Sequence, residues 1–321
     1  MKFFFGLPTR RGASCKENFI KVQPIIVFTL IALFFIGTAC NRASENASGS
    51  GFGITQGDEF RRIISASPAN TEIITALNMG DFLIAIDRHS RGIDAVPAGL
   101  PEVDFFYPDT EAIIGLEPDL ILVGEVNTFG VANNPFTLLG DLGIKVVQVP
   151  TSVSIEGIYS DIILIAEALG VKERGETLVE SMKGEIERIA DGVNPELEKR
   201  SIYFEISNAP NMVSFGQGAY LNEMIEIAGG RNIFADQRGW FSPSAEEIIN
   251  RNPDIILVLV YPGEDPVTEI KNRRAFESIA ALRENHVFAI DADSASRPSQ
   301  NILLAFRQIE RAINTVVEPS P

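Results

Sequence analysis

From residue 62 onward the chain alternates short apolar runs with stretches whose apolar residues recur at helical spacing. Residues 62–65 read as a strand, and the turn Pro68-Ala69-Asn70-Thr71-Glu72 leads into helical spacing over 73–77. Strand 82–86, helix 111–116, strand 120–123, helix 136–142 and strand 146–149 follow. Residues 155–189 are helical almost throughout, with a break at Gly170. At about 1.5 Å per residue that stretch is long enough to cross a lobe. Strand 201–206, helices 221–228 and 244–251, strands 255–260 and 287–290, and a final helix from 301 to about 316 complete the pattern. Strands alternating with helices predict βαβ units and mainly parallel sheets, an α/β class.

An internal repeat organises these elements. Glu111-Ala112-Ile113-Ile114-Gly115-Leu116-Glu117-Pro118-Asp119-Leu120-Ile121-Leu122-Val123 is echoed by Glu246-Glu247-Ile248-Ile249-Asn250-Arg251-Asn252-Pro253-Asp254-Ile255-Ile256-Leu257-Val258 at a constant offset of 135 residues. Each copy is a short helix, a Pro-Asp break that stops it, and a buried strand. The expectation is two similar lobes joined by one long backbone helix, with a cleft between them of the kind that binds ligands.

Before the first strand, Lys2, Arg10, Arg11, Lys16 and Lys21 precede the apolar run 25–36, which is too short to span a bilayer and reads as the core of an export signal. Gly37-Thr38-Ala39-Cys40 resembles the lipobox of bacterial lipoproteins, with Gly37 where such boxes usually carry Leu. Cys40 would then be the lipidated first residue of the mature chain. The expected layout is a signal peptide 1–39, a Ser- and Gly-rich tether 40–57, an N-terminal lobe 58–152, a connecting helix 153–192 and a C-terminal lobe 193–321.

Composition narrows the chemistry. Lys and Arg number 27 against 43 Asp and Glu, a charge of −16 that disfavours nucleic acid as a partner. With two His and two Cys, a structural zinc site of the usual kind cannot be assembled. There is no Gly-x-Ser-x-Gly elbow, phosphate loop or His-rich cluster, so an extracytoplasmic enzyme is the weaker reading, as is a surface lipoprotein without a transport role.

Residues 62–77, 111–123, 142–147, 222–236 and 253–258, in this order and spacing, resemble the cobalamin, ferric-siderophore and haem binding proteins of bacterial ABC importers. The resemblance implies the class III periplasmic binding protein fold, and no catalysis or intrinsic cofactor. It implies a ferric chelate, haem or cobalamin as ligand; separately, because hard cations accept oxygen ligands, free ferric iron on Asp87, Asp104, Asp109 and tyrosines is a further option. It also implies delivery to a permease dimer with a cytoplasmic ATPase, from a lipid anchor on the outer face of the cell membrane or in the periplasm. Glu111 and Glu246 match the family's permease-docking glutamates, with Glu247 competing in the second lobe. Since α/β sheets bind at the carboxyl ends of their strands, Arg88, His89, Phe106, Tyr107, Phe215, Trp240, Tyr261 and Arg297 are nominated as ligand contacts. His89, Tyr107 and Tyr261 are the candidates for a haem axial position.

Overall fold

A computed structural model of the chain describes residues 60–125 and 135–317. The export signal, Cys40 and the tether lie outside them. The first half contains β1 (Ile63–Ser65), α1 (Pro68–Ala76), β2 (Leu83–Ile86), α2 (Thr110–Gly115), β3 (Leu120–Gly124), α3 (Pro135–Asp141) and β4 (Lys145–Val149). All of its strand pairs are parallel, in the order β2-β1-β3-β4. Ile63, Ile64, Leu120, Ile121 and Leu122 have no solvent exposure, as expected of central parallel strands covered on both faces.

The connector is two helices, α4 (Ile155–Ala168) and α5 (Lys172–Asp191), turning at Gly170. Gly170 adopts φ +73°, the left-handed geometry glycine supplies at a helix end. Gly175 lets the helices close on each other, since a Cβ there would sit 2.5 Å from that of Ala166. The single long helix is therefore α5 alone. Val179, Met182, Ile186 and Ile189 face inward along its length of about 30 Å.

The second half holds β5 (Ser201–Glu205), β6 (Ser214–Phe215), α6 (Tyr220–Ile227), β7 (Arg231–Asn232), β8 (Trp240–Phe241), α7 (Ala245–Arg251) and β9 (Ile255–Val260). It ends with α8 (Pro266–Lys271), α9 (Ala280–Arg283), β10 (Val287–Asp291), α10 (Ala292–Ser296) and α11 (Ile302–Val317). Its parallel sheet runs β10-β9-β5-β7, and β6 and β8, with α6 and β7 between them in the chain, form a separate antiparallel pair. With β5, β7, β9 and β10 as counterparts of β1, β2, β3 and β4, the two sheets have the same strand order.

The Pro-Asp repeat has a structural job in both halves. Asp119 accepts from the backbone amides of Arg61 (2.9 Å) and Arg62 (3.0 Å) at the entrance to β1. Asp254 accepts from the amide (2.8 Å) and hydroxyl (2.7 Å) of Ser201, which begins β5. Each carboxylate thus ties the loop entering one central strand to the start of the other, satisfying amides that the ladder leaves open.

One apolar cluster fills the space between the inner faces of both sheets, from Ile63 and Leu120 through Ile158 and Ile162 to Ile202, Leu257, Phe306 and Ile313. The outer faces have their own clusters, around Ile121 and Phe136 in the first half and around Tyr203 and Phe276 in the second.

Asp161 is a polar exception inside this core. It is 4% exposed and accepts a hydrogen bond from the Ser152 hydroxyl at 2.5 Å. Burial pushes its carboxyl up from 3.8 to about 6, against the lowering effect of Ser152. Because the folded value is raised, stability is full below pH 3.8 and falls as pH rises toward 6. Asp161→Asn removes that loss. It should raise stability near pH 8 by about 1–2 kcal/mol, allowing for partial solvent screening, and flatten the melting temperature between pH 4 and 6. An unaltered slope in thermal melts would count against this assignment.

Candidate functional site

The sequence-nominated residues lie in turns and short segments that follow the strands. After β2, Arg88–Ser90 form a single 3-10 turn that Asp87 caps by accepting from the His89 amide at 2.7 Å. Beneath it the hydroxyls of Ser65, Thr71 and Ser90 hydrogen-bond in sequence at 2.8 and 2.9 Å, and Ser90 donates on to Asp87. This buried relay fixes the turn and leaves Arg88 and His89 exposed. Arg88 Nε donates to His89 Nε2 at 3.0 Å, so that ring nitrogen is already engaged. Phe106 and Tyr107 follow in the loop before α2, 68% and 87% exposed, with their amides held by Asp104 at 2.9 and 3.1 Å.

In the second half Tyr261 directly follows β9 and is 43% exposed. Trp240 in β8 is 51% exposed and is the cross-strand partner of Phe215 in β6. Phe215 itself is fully buried, edge-on to Phe204 and Trp240 with ring centres 5.6 Å away in each case. The nomination of Phe215 as a ligand contact is therefore corrected: β6 lies over the sheet, and its ring supports Trp240 from below.

Arg297 is also reassigned. Its guanidinium is committed to Glu72 (2.9 Å) in the other half and to Asp293 (2.7 Å), leaving no free fork for a ligand carboxylate. These pairs border a crevice of about 540 Å3 between the halves, lined by Glu72, Arg91 and Asp94 on one side and Asp291, Asp293 and Arg297 on the other. The four exposed aromatic residues lie outside its lining.

The two repeat-related glutamates occupy equivalent places. Asp109 caps α2 and Ser244 caps α7, which puts Glu111 and Glu246 in the first turns of counterpart helices. Both are exposed, and among the described residues neither makes a hydrogen bond or ion pair. Glu247 differs. It closes a capping box, accepting from the amide (2.9 Å) and hydroxyl (3.0 Å) of Ser244, which hold its carboxyl below the usual range. Of the two adjacent carboxylates, only that of Glu247 is engaged by the helix cap.

The acidic residues considered for bare iron are occupied locally. Asp87 and Asp104 hold turns and Asp109 caps α2. Among the described residues no group of three or more His, Cys, Asp or Glu could hold a metal ion. His286 packs flat against Phe288, ring centres 6.5 Å apart, and serves the fold.

Two features escaped the sequence reading. Glu205, at the end of β5, is fully buried and takes two 2.8 Å hydrogen bonds from Arg273 and one of 3.0 Å from Tyr203. Glu72 is likewise buried, the one charged residue of α1. A signal for it existed: Thr71-Glu72-Ile73-Ile74 and Asn222-Glu223-Met224-Ile225 form a second repeat on counterpart helices.

Comparison with known proteins places this geometry. The family model described as periplasmic binding protein matches residues 63–294. The chain is 28% identical over 265 residues to an uncharacterised ABC transporter substrate-binding lipoprotein, YvrC, of Bacillus subtilis, covering 81% of this chain and 82% of that protein. It is 27% identical over 262 residues to the vitamin B12-binding protein of Vibrio campbellii, covering 80% and 90% respectively. Among solved structures, a possible iron-binding periplasmic solute-binding protein from Staphylococcus epidermidis superposes with TM-score 0.70 at 30% identity, over 80% of this chain and 99% of that one.

Proposed function

This chain belongs to the periplasmic binding protein family and acts outside the cytoplasm as the substrate-binding protein of an ABC importer; from that premise we propose that its ligand is a cobalamin or an iron chelate held by the exposed aromatics at the strand ends. One observation carries the reading. Phe106, Tyr107, Trp240 and Tyr261 stay 43–87% exposed, although large aromatic side chains normally gain by burial. Phe106, Tyr107 and Tyr261 lie in loops and Trp240 in the short strand β8, two in each half, and binding would bring their rings onto a flat or macrocyclic face. Arg88 with His89 supplies the polar contact, either to a carboxylate of the ligand or through His89 to its metal once the Arg88 contact opens.

Trp240 is the chain's only tryptophan, so its emission reports on this site alone. Cyanocobalamin should quench it at saturation, after correction for absorbance. Trp240→Phe should weaken binding about fivefold by equilibrium dialysis, the loss of roughly 1 kcal/mol of aromatic contact. Haemin and a ferric hydroxamate are the comparison ligands. If none of the three quenches Trp240, the proposed ligand class is wrong.

In the same reading Glu111 and Glu246 engage a basic residue on each of two permease subunits above a cytoplasmic ATPase, and their repeat-related positions suit a two-fold partner. Lipidation at Cys40 would hold the protein near that permease, as the lipoprotein relative in Bacillus subtilis suggests. Labelling with a radioactive fatty acid, lost in Cys40→Ser, is the expected result.

A further inference from the structure

We propose that Glu72 and Glu223 are a matched pair of positioning residues that latch the two halves together and set the spacing across the cleft, whatever the ligand. Both stand at the second place of the second repeat, on α1 and its counterpart α6. Each reaches out of its own half. Glu72 accepts from Arg297 at 2.9 Å and from the Ser299 hydroxyl at 2.5 Å, and its backbone carbonyl accepts from Gln300 at 3.2 Å. Those three donors form the segment leading into α11. Glu223 accepts at 2.9 Å from the amide of Ile155, the first residue of α4.

The two targets are related as the two glutamates are. α4 follows β4, the last strand of the first sheet, and α10 with α11 follows β10, the last strand of the second. Each carboxylate therefore grips the helical segment that leaves the opposite sheet's final strand: Glu223 takes an open amide at the positive end of α4, and Glu72 takes a guanidinium and a hydroxyl just ahead of α11. Glu72 is 3% exposed, and a carboxylate held there without these donors would be strongly disfavoured. Rigid opening of the cleft has to break both grips together.

Hydrogen exchange of the full-length lipoprotein, read by mass spectrometry, tests this coupling. Glu72→Gln should speed exchange several-fold in its own contact segment, 297–303, and also in 153–158 at the other latch. Glu223→Gln should do the reverse, accelerating 297–303 as well as its own target. Glu205→Gln is the control, because it breaks a buried ion pair within one half and should leave 153–158 unchanged despite a lower melting temperature. If Glu72→Gln does not fold, Ser299→Ala removes one donor and keeps the charge pair, with the same distant effect expected at smaller size. Acceleration confined to the segment beside each substitution overturns the proposal.

Discussion

Cells carrying Glu111→Ala together with Glu246→Ala are expected to lose uptake to background, while the purified protein binds cyanocobalamin as tightly as the unaltered chain. Both side chains are exposed in first turns of counterpart helices, with no partner among the described residues, so neither has a fold to support. Removing one side of a hydrogen-bonded charge pair that becomes buried at an interface costs about 2–5 kcal/mol. Two such losses weaken docking by roughly a thousandfold or more, which separates capture from delivery. Glu247→Ala should instead leave docking near normal and lower stability by about 1 kcal/mol, since its carboxylate closes the α7 cap. Uptake that survives the double substitution, or that fails with Glu247→Ala alone, would refute the assignment.

The largest effect on stability is expected from Arg273→Ala. Glu205 has no solvent exposure, and Arg273 supplies two of its three hydrogen bonds. Taking away the guanidinium leaves a buried, uncompensated carboxylate at the end of a central strand, a loss of about 3–5 kcal/mol. In a body of this size that corresponds to a drop on the order of 10 °C in melting temperature. The guanidinium also stacks 4.7 Å over the Phe276 ring, so part of the loss is packing. Replacing both partners, Glu205→Leu with Arg273→Met, should recover most of it. If the double replacement is no more stable than Arg273→Ala, the cost does not come from the stranded charge.

What the sequence made legible was set by periodicity and by repetition. The parallel strands could be found because central strands of a covered sheet are apolar throughout, as Leu120 to Val123 and Ile255 to Leu259 are. The repeat placed α2 and α7 as counterparts, and Thr110 and Ala245, where these helices begin, are 135 residues apart. The two-residue strands β6, β7 and β8 and the short helices α8 to α10 carry too few residues to show a period, so they were missed.

Site residues were harder for a different reason. Strand ends identify which loops face a ligand but say nothing of side-chain direction within them. Phe215 and Trp240 are cross-strand neighbours of similar chemistry, yet one is buried and the other half exposed. Arg297 looked available because its acid, Glu72, lies 225 positions away in sequence. Such long-range pairs have no local signature, whereas the Asp109 and Ser244 caps act within three residues and can be read directly.

The apolar cluster spanning both sheets decides whether the molecule can be divided. A chain that doubles an ancestral unit could in principle keep two independent parts, each able to be cut out and grown alone. Here α1, α4, α5, α6 and α11 all contribute buried residues to one shared interior. A fragment stopping at residue 192 would bare that surface to water and should aggregate. Each half covers apolar surface that the other would leave bare, so the two are expected to fold only together.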